Sequence, residues 1–317
     1  MSDRFGCELA PLVYSLVRPN AFPPPEGPVS GQRLLRRVIP LHVTSAGVGR
    51  PTVILVHGFG AYGFFWRKWN SALTDHHRVH TVDLMGFGRA PTPLSGDYSP
   101  AAQASRVAAF VRRVEGEGPA VLIGHSLGAG IVLLAALDLV KNGIPLAGVV
   151  IVSGAVYSQP FPWYLSLGRR RLLGELFLLC TPPFCVLRKG IQGIVGDPAT
   201  VDVEQVEGYR TPLRNFQRRR AILRAVRQIN MDEAFTLGTR LRELELPTLL
   251  IWGEEDRVVP LETGRRLVGD LPRANLVTLP GVGHLPPEEA PRRSVAPVLD
   301  FLGSLCSGPE GRVPELA

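Results

Sequence analysis

Residues 121–130, Val-Leu-Ile-Gly-His-Ser-Leu-Gly-Ala-Gly, constrain this chain more than any other stretch. An apolar run meets Gly124-x-Ser126-x-Gly128, and apolar residues at helical spacing follow. That order predicts a strand, a sharp turn and a helix, with a serine at the apex. The turn leaves no room for a side chain at 124 or 128, where a Cβ would meet the strand or the helix. Ser126 Oγ is then held out of the sheet at a helix N-terminus, where free N–H groups and the helix dipole favour an oxyanion. The bare pattern is weak in a chain with 34 glycines. The strand before it and the helix after it make it specific.

Around this unit, strand and helix patterns alternate. Buried strands are expected at 53–56, 79–82, 120–123, 148–152, 248–252 and 275–279, with two short ones near 34–39 and 41–44. Helical spacing runs over 99–114, 127–140, 261–268 and 288–305. Continuous apolar strands separated by helices predict an α/β fold with a mostly parallel, doubly wound sheet. The alternation stops over 155–244, which is helix-like and carries 14 Lys/Arg against 8 Asp/Glu. Because this stretch leaves the sheet and returns, it is expected to form an inserted helical cap over the strand C-termini. The expected layout is a proline-rich arm over 1–31, a core of 32–154 and 245–305, the cap over 155–244, and a tail over 306–317.

Hydrophobic residues make up 45% of the chain, enough for a sizeable core. The opening Met-Ser-Asp-Arg-Phe-Gly does not read as a signal peptide, and no run of about 18 apolar residues is present to span a bilayer. Cys7, Cys180, Cys185 and Cys306 match neither a disulfide framework nor a zinc site. The expectation is a cytoplasmic protein with buried or idle thiols and no metal. Net charge is +7, yet no nucleic-acid-binding motif accompanies it. The Arg169-Arg170-Arg171 run and the arginines of 210–227 read as solvated helix faces, with recognition of an anionic substrate or a membrane lipid surface as the less favoured alternative.

Ligands of an open parallel sheet bind beyond the C-terminal strand ends. Three polar residues fall there in chain order: Ser126, Asp256 and His284. A serine hydroxyl is a poor nucleophile at neutral pH unless a base takes its proton. His284 is the expected base, and Asp256 would fix its tautomer and stabilise the imidazolium. Glu255 competes for the acid role, and Asp256 could instead pair with Arg257. His57 is expected to support its loop, and His125 to point away from the serine. His76 and His77 are expected in solvent, and Asp83 and Arg89 are expected to hold a loop together.

Five stretches run in a recognisable order. They are His57-Gly58-Phe59-Gly60, Asp83-Leu84-Met85-Gly86-Phe87-Gly88-Arg89, Gly124-His125-Ser126-Leu127-Gly128, Trp252-Gly253-Glu254-Glu255-Asp256-Arg257-Val258-Val259-Pro260 and Gly283-His284. Over about residues 32–305 the chain resembles the α/β-hydrolase family, in the branch with a helical cap between strands six and seven. The resemblance implies oxyanion donors at the backbone N–H groups of Phe59 and Leu127. The mechanism needs neither a metal nor an organic cofactor.

A serine nucleophile disfavours haloalkane dehalogenase and epoxide hydrolase chemistry, because a serine ether cannot be hydrolysed at a carbonyl. It supports acyl transfer. Cleavage of a carboxylic ester with an apolar acyl or alcohol group is the leading expectation. Thioesterase, C–C bond hydrolase, cofactor-free perhydrolase and membrane-associated lipase chemistries are the alternatives, and a non-catalytic ligand receptor is a further class. Trp66, Phe161, Trp163 and Phe177 are the expected apolar pocket residues. The expected partner is a small-molecule ester, with no nucleic acid.

Overall fold

The computed structural model describes residues 39–158, 166, 168–170, 174, 182–230 and 237–306. The expected arm, the strand residues 34–38, Cys7, Cys180, Arg171, Phe161, Trp163 and Phe177 lie outside the described residues, as does the tail beyond Cys306.

The strands are β1 His42–Ala46, β2 Thr52–Val56, β3 Val79–Asp83, β4 Ala120–His125, β5 Leu146–Val152, β6 Thr248–Gly253 and β7 Ala274–Leu279. They form one seven-stranded sheet in the order β1-β3-β2-β4-β5-β6-β7. β1 lies antiparallel to β3, and every other neighbouring pair is parallel. β2, β4 and β6 are apolar runs buried along their whole length. Both of their faces are therefore covered, which is why they do not alternate polar and apolar.

Two apolar layers result, because successive strand residues point to opposite faces. Ile54, Leu122, Ile151 and Leu250 pack on one side, with residues of α2 (Pro100–Arg113), α3 (Leu127–Lys141) and α7 (Leu261–Asp270). Val53, Leu55, Val121, Ile123 and Val150 pack on the other, with α1 (Arg67–Thr74) and α9 (Pro291–Cys306). Trp66 sits in this second layer, fully buried against Phe65 and Trp69. It is a core side chain, in place of the pocket wall expected from sequence: it begins the turn into α1, whose apolar face packs inward. Among the described residues, no helix is long and apolar enough to cross a membrane. Cys185 and Cys306 are free and exposed.

Between β5 and β6 lie α4 (Phe184–Gln192), α5 (Val203–Leu213) and α6 (Phe216–Gln228). The side chains of Asp202 and Asn215 cap the last two, accepting from Gln205 N at 2.6 Å and Arg218 N at 3.1 Å. Polar contacts dock these helices on the sheet domain. Tyr62 Oη donates to Gly208 O at 3.0 Å, and Tyr209 Oη donates to Glu288 Oε1 at 2.6 Å. Arg67 bridges Glu288 at 2.9 Å and Glu204 at 3.3 Å. The arginines of α6 are not all a solvated face. Arg218 donates to the carbonyls of Phe87 and Ala90, and buried Arg219 donates to Leu213 O, a carbonyl at the open C-terminus of α5.

Glu288 is 2% exposed, so the Tyr209 hydroxyl is a main source of compensation for its burial. Tyr209→Phe removes a donor to a buried carboxylate and should cost roughly 1.5–3 kcal/mol. The expected outcome is a lower urea midpoint and faster proteolysis within 182–230.

Candidate active site

Ser126 occupies the turn between β4 and α3 with φ 52° and ψ −120°, a region a side-chain-bearing residue rarely enters. The surroundings hold it there. Its N–H donates to Val152 O at 3.0 Å, and its carbonyl accepts from Ala129 N and Ala155 N, both at 3.0 Å. A Cβ at Gly124 would lie 2.5 Å from Gly128 O, and one at Gly128 would run into the carbonyls of Val56 and His57. Both glycines of the motif are thus dictated by backbone meeting backbone.

The other two expected residues arrive from the next strands. Asp256 lies in the turn after β6, and His284 in the loop after β7. His284 Nε2 is 3.1 Å from Ser126 Oγ, and His284 Nδ1 is 2.9 Å from Asp256 Oδ2. The other carboxylate oxygen of Asp256 accepts from Val258 N and Val259 N, both at 2.9 Å. These two bonds aim the carboxylate at the imidazole, and both side chains are buried. Glu255, the sequence neighbour, is exposed. The arrangement has the parts to pass a proton from a serine hydroxyl to an imidazole whose charge a carboxylate offsets.

Neither the Phe59 nor the Leu127 N–H has an acceptor among the described residues. Leu127 is the first residue of α3, so its N–H is one of the unpaired donors of a helix start. Gly58 brings the Phe59 loop against the elbow, since a Cβ there would lie 3.0 Å from Ser126 Cβ.

His57 and His125 are both buried and both neutral. His57 Nε2 accepts from Leu84 N at 3.1 Å, so its proton sits on Nδ1, which donates to Gly58 O at 2.8 Å. It braces the Gly58–Phe59 loop and leaves no nitrogen for acid–base work. Asp83 likewise holds loop backbone, accepting from Gly63 N at 2.6 Å and Arg89 N at 2.7 Å. His125 meets His284: its ring centroid lies 4.9 Å from that of His284, and its Nε2 donates to His284 O at 2.9 Å. The sequence holds no signal for this contact, because it spans 159 residues. His77, expected in solvent, is buried, because its chain turns inward to begin β3. Among the described residues, no group of His, Cys, Asp or Glu is arranged to hold a metal ion.

Burial lowers the pKa of His57, and burial followed by the neighbouring His284 drives that of His125 well down. The unfolded chain then binds more protons than the native one below about pH 6.5, so stability falls with pH there. Each of these two histidines should therefore remove stability as the pH falls from 7.5 to 5.5. Glu288 works the other way, since burial raises its carboxyl and the stability it contributes is lost as pH rises. The urea midpoint should therefore drop at pH 5.5, and drop further in Glu288→Gln. A midpoint unchanged or higher at pH 5.5 in both would contradict neutral burial of the two histidines.

Residues 53–298 match the model of the alpha/beta hydrolase family. An uncharacterized hydrolase, YugF, of Bacillus subtilis is 32% identical over 262 residues, 80% of this chain and 90% of the relative. A 2-hydroxy-6-oxononadienedioate/2-hydroxy-6-oxononatrienedioate hydrolase of Paraburkholderia phymatum is 30% identical over 83% of this chain and 91% of its own. The crystal structure of an alpha/beta hydrolase fold protein from Burkholderia ambifaria superposes with a TM-score of 0.72 at 26% identity, covering 82% of this chain and 93% of that one. The strand order, the elbow after β4 and these matches agree, and the chain belongs to the alpha/beta hydrolase family.

Proposed function

We propose that this protein is a serine hydrolase that cleaves carboxylic esters with apolar acyl or alcohol groups through an acyl-enzyme intermediate. The observation that carries the proposal is the hydrogen-bonded run from Ser126 Oγ through His284 to Asp256. Ser126 Oγ attacks the ester carbonyl while His284 Nε2 takes its proton. The oxyanion is held by the N–H groups of Phe59 and Leu127, each worth about 3 kcal/mol in comparable sites. His284 then protonates the leaving alkoxide, and the acyl-serine is hydrolysed by water that the same imidazole activates. Asp256 keeps the proton on Nδ1 in the resting state and stabilises the imidazolium. The substrate is a small molecule and no nucleic acid takes part. The helices between β5 and β6 serve as a cap over the strand ends, with Phe161, Trp163 and Phe177 contributing apolar surface.

A second acyl chemistry has a specific support. The Paraburkholderia phymatum relative is named for a 2-hydroxy-6-oxo dienedioate. Such a compound carries a ketone and no ester, so hydrolysis at that carbonyl breaks a C–C bond. We favour the ester because a serine, a base and two N–H donors suffice for it. A carbon leaving group also requires a proton delivered to carbon. The two are separated by assaying p-nitrophenyl acetate hydrolysis and the loss of the conjugated chromophore of a 2-hydroxy-6-oxo-dienoate with the same preparation.

Ser126→Ala should lose more than ~10³-fold in kcat with the fold intact, and a fluorophosphonate adduct should map to Ser126 by mass spectrometry. An adduct on another serine would sink the assignment. Asp256→Asn should be far more damaging than Glu255→Gln, and the reverse order would transfer the acid role to Glu255. For the cap, Trp163→Ala and Phe177→Ala should alter the preference among p-nitrophenyl acetate, butyrate, octanoate and laurate. Each buried methylene is worth roughly 0.8 kcal/mol. Profiles parallel to wild type would mean that these side chains do not touch the acyl group.

A further inference from the structure

Glu289, at the end of α8 (Pro286–Glu289), gives both carboxylate oxygens to backbone donors. Oε1 accepts from Leu285 N at 2.8 Å. Oε2 accepts from Gly283 N at 2.8 Å and from Gly196 N at 2.7 Å. Two of these donors flank His284. The third belongs to the turn between α4 and α5, in the insertion between β5 and β6. A second bond joins the same two segments, since His284 N–H donates to Ile194 O at 2.8 Å.

The packing leaves no slack between them. A Cβ at Gly283 would lie 2.6 Å from Val195 C and 2.7 Å from Ile194 O, and one at Gly196 would run into the Gly281 carbonyl. On the opposite side, a Cβ at Gly253 would run into the carbonyls of Val282 and Gly283, and Glu255 N donates to Val282 O at 2.9 Å. The histidine loop is thus sandwiched, backbone against backbone, between the loop of Asp256 and residues 194–196. With no side chain between the layers to absorb a shift, a displacement of 194–196 displaces the loop of His284.

We propose that Glu289 is a positioning residue that ties residues 194–196 to the histidine loop, so that the insertion and the base are seated together. The consequence for rate rests on the serine-hydrolase proposal; the joint itself does not. A carboxylate is the group the joint requires. An amide at 289 keeps one acceptor oxygen and sets an NH₂ against backbone N–H donors. At least one of the three donors then loses its partner, and the imidazole drifts from Ser126 Oγ. Movement of the insertion as substrate enters is transmitted to the base by the same bonds, so alignment for proton transfer requires a seated insertion.

The test compares full-length wild type, Glu289→Gln and Glu289→Asp by three measurements. They are the rate of Ser126 phosphonylation by a fluorophosphonate, steady-state hydrolysis of p-nitrophenyl acetate, and amide hydrogen exchange over 194–196 and 281–285. Glu289→Gln should slow phosphonylation and kcat by ~10²-fold with KM changed by less than about twofold, as a misplaced catalytic group does. Exchange should accelerate in both segments together, and Glu289→Asp should fall between Gln and wild type. If the Gln variant does not fold, the Asp variant is judged by the same criteria. Wild-type phosphonylation in the Gln variant overturns the proposal, as does faster exchange confined to 281–285. Failure of wild type to label at Ser126 counts against the hydrolase proposal alone, and exchange in the two segments then decides the joint.

Discussion

Backbone pressed against backbone at residue 126 is the constraint on which the rest of this structure depends. The serine is held at a positive φ because its N–H and carbonyl are bonded to β5, to α3 and to the turn after β5. Those bonds form only if β4 lies directly beside β5 and α3 begins without a spacer. Glycines at 124, 128 and 58 permit that approach, and a methyl group at any of them would overlap neighbouring atoms. Local strain of this kind persists only where the surroundings over-determine it. Here the surroundings are two central strands with no solvent-facing side.

The same economy of space governs the polar groups near the site. Glu289 gives both carboxylate oxygens, and Asp256 one, to backbone N–H groups, and each thereby fixes a loop at the candidate site. His57 and His125 are neutral donors or acceptors that bind main-chain atoms. Of the histidines around the elbow, His284 alone has its ring between a hydroxyl and a carboxylate. What separates His284 from its neighbours is the company of each ring, since the side chains are chemically identical. Glu288 and Glu289 divide in a similar way: one docks the helical insertion through Tyr209 and Arg67, and the other reaches the histidine loop.

Much of the fold was legible because its signals are local. All seven strands of the described sheet fall within two residues of their expected bounds, and so do α2, α3 and α7. Apolar runs and 3.6-residue spacing need no knowledge of distant residues. The serine, acid and histidine were legible because strand ends are themselves local features and an open parallel sheet gathers its strand ends on one edge. Trp66 was misread because an aromatic beside a loop looks the same in sequence whether it faces a pocket or the core. The arginines of α6 were misread because the carbonyls that Arg218 and Arg219 cap lie at helix and loop ends that no periodicity predicts.

The sequence by itself determined the order of strands and helices, the glycine-bounded serine turn, and the three side chains of the hydrogen-bonded run, Ser126, His284 and Asp256. Those follow from backbone sterics, burial and the chemistry of a single hydroxyl. Only the tertiary structure decided that His125 meets His284 across 159 residues, that Tyr209 closes on Glu288 across 79, and that Gly196 and Gly283 share one carboxylate. Contacts of that range are set by how the strands are ordered in the sheet and where the insertion folds back, and a linear pattern carries neither.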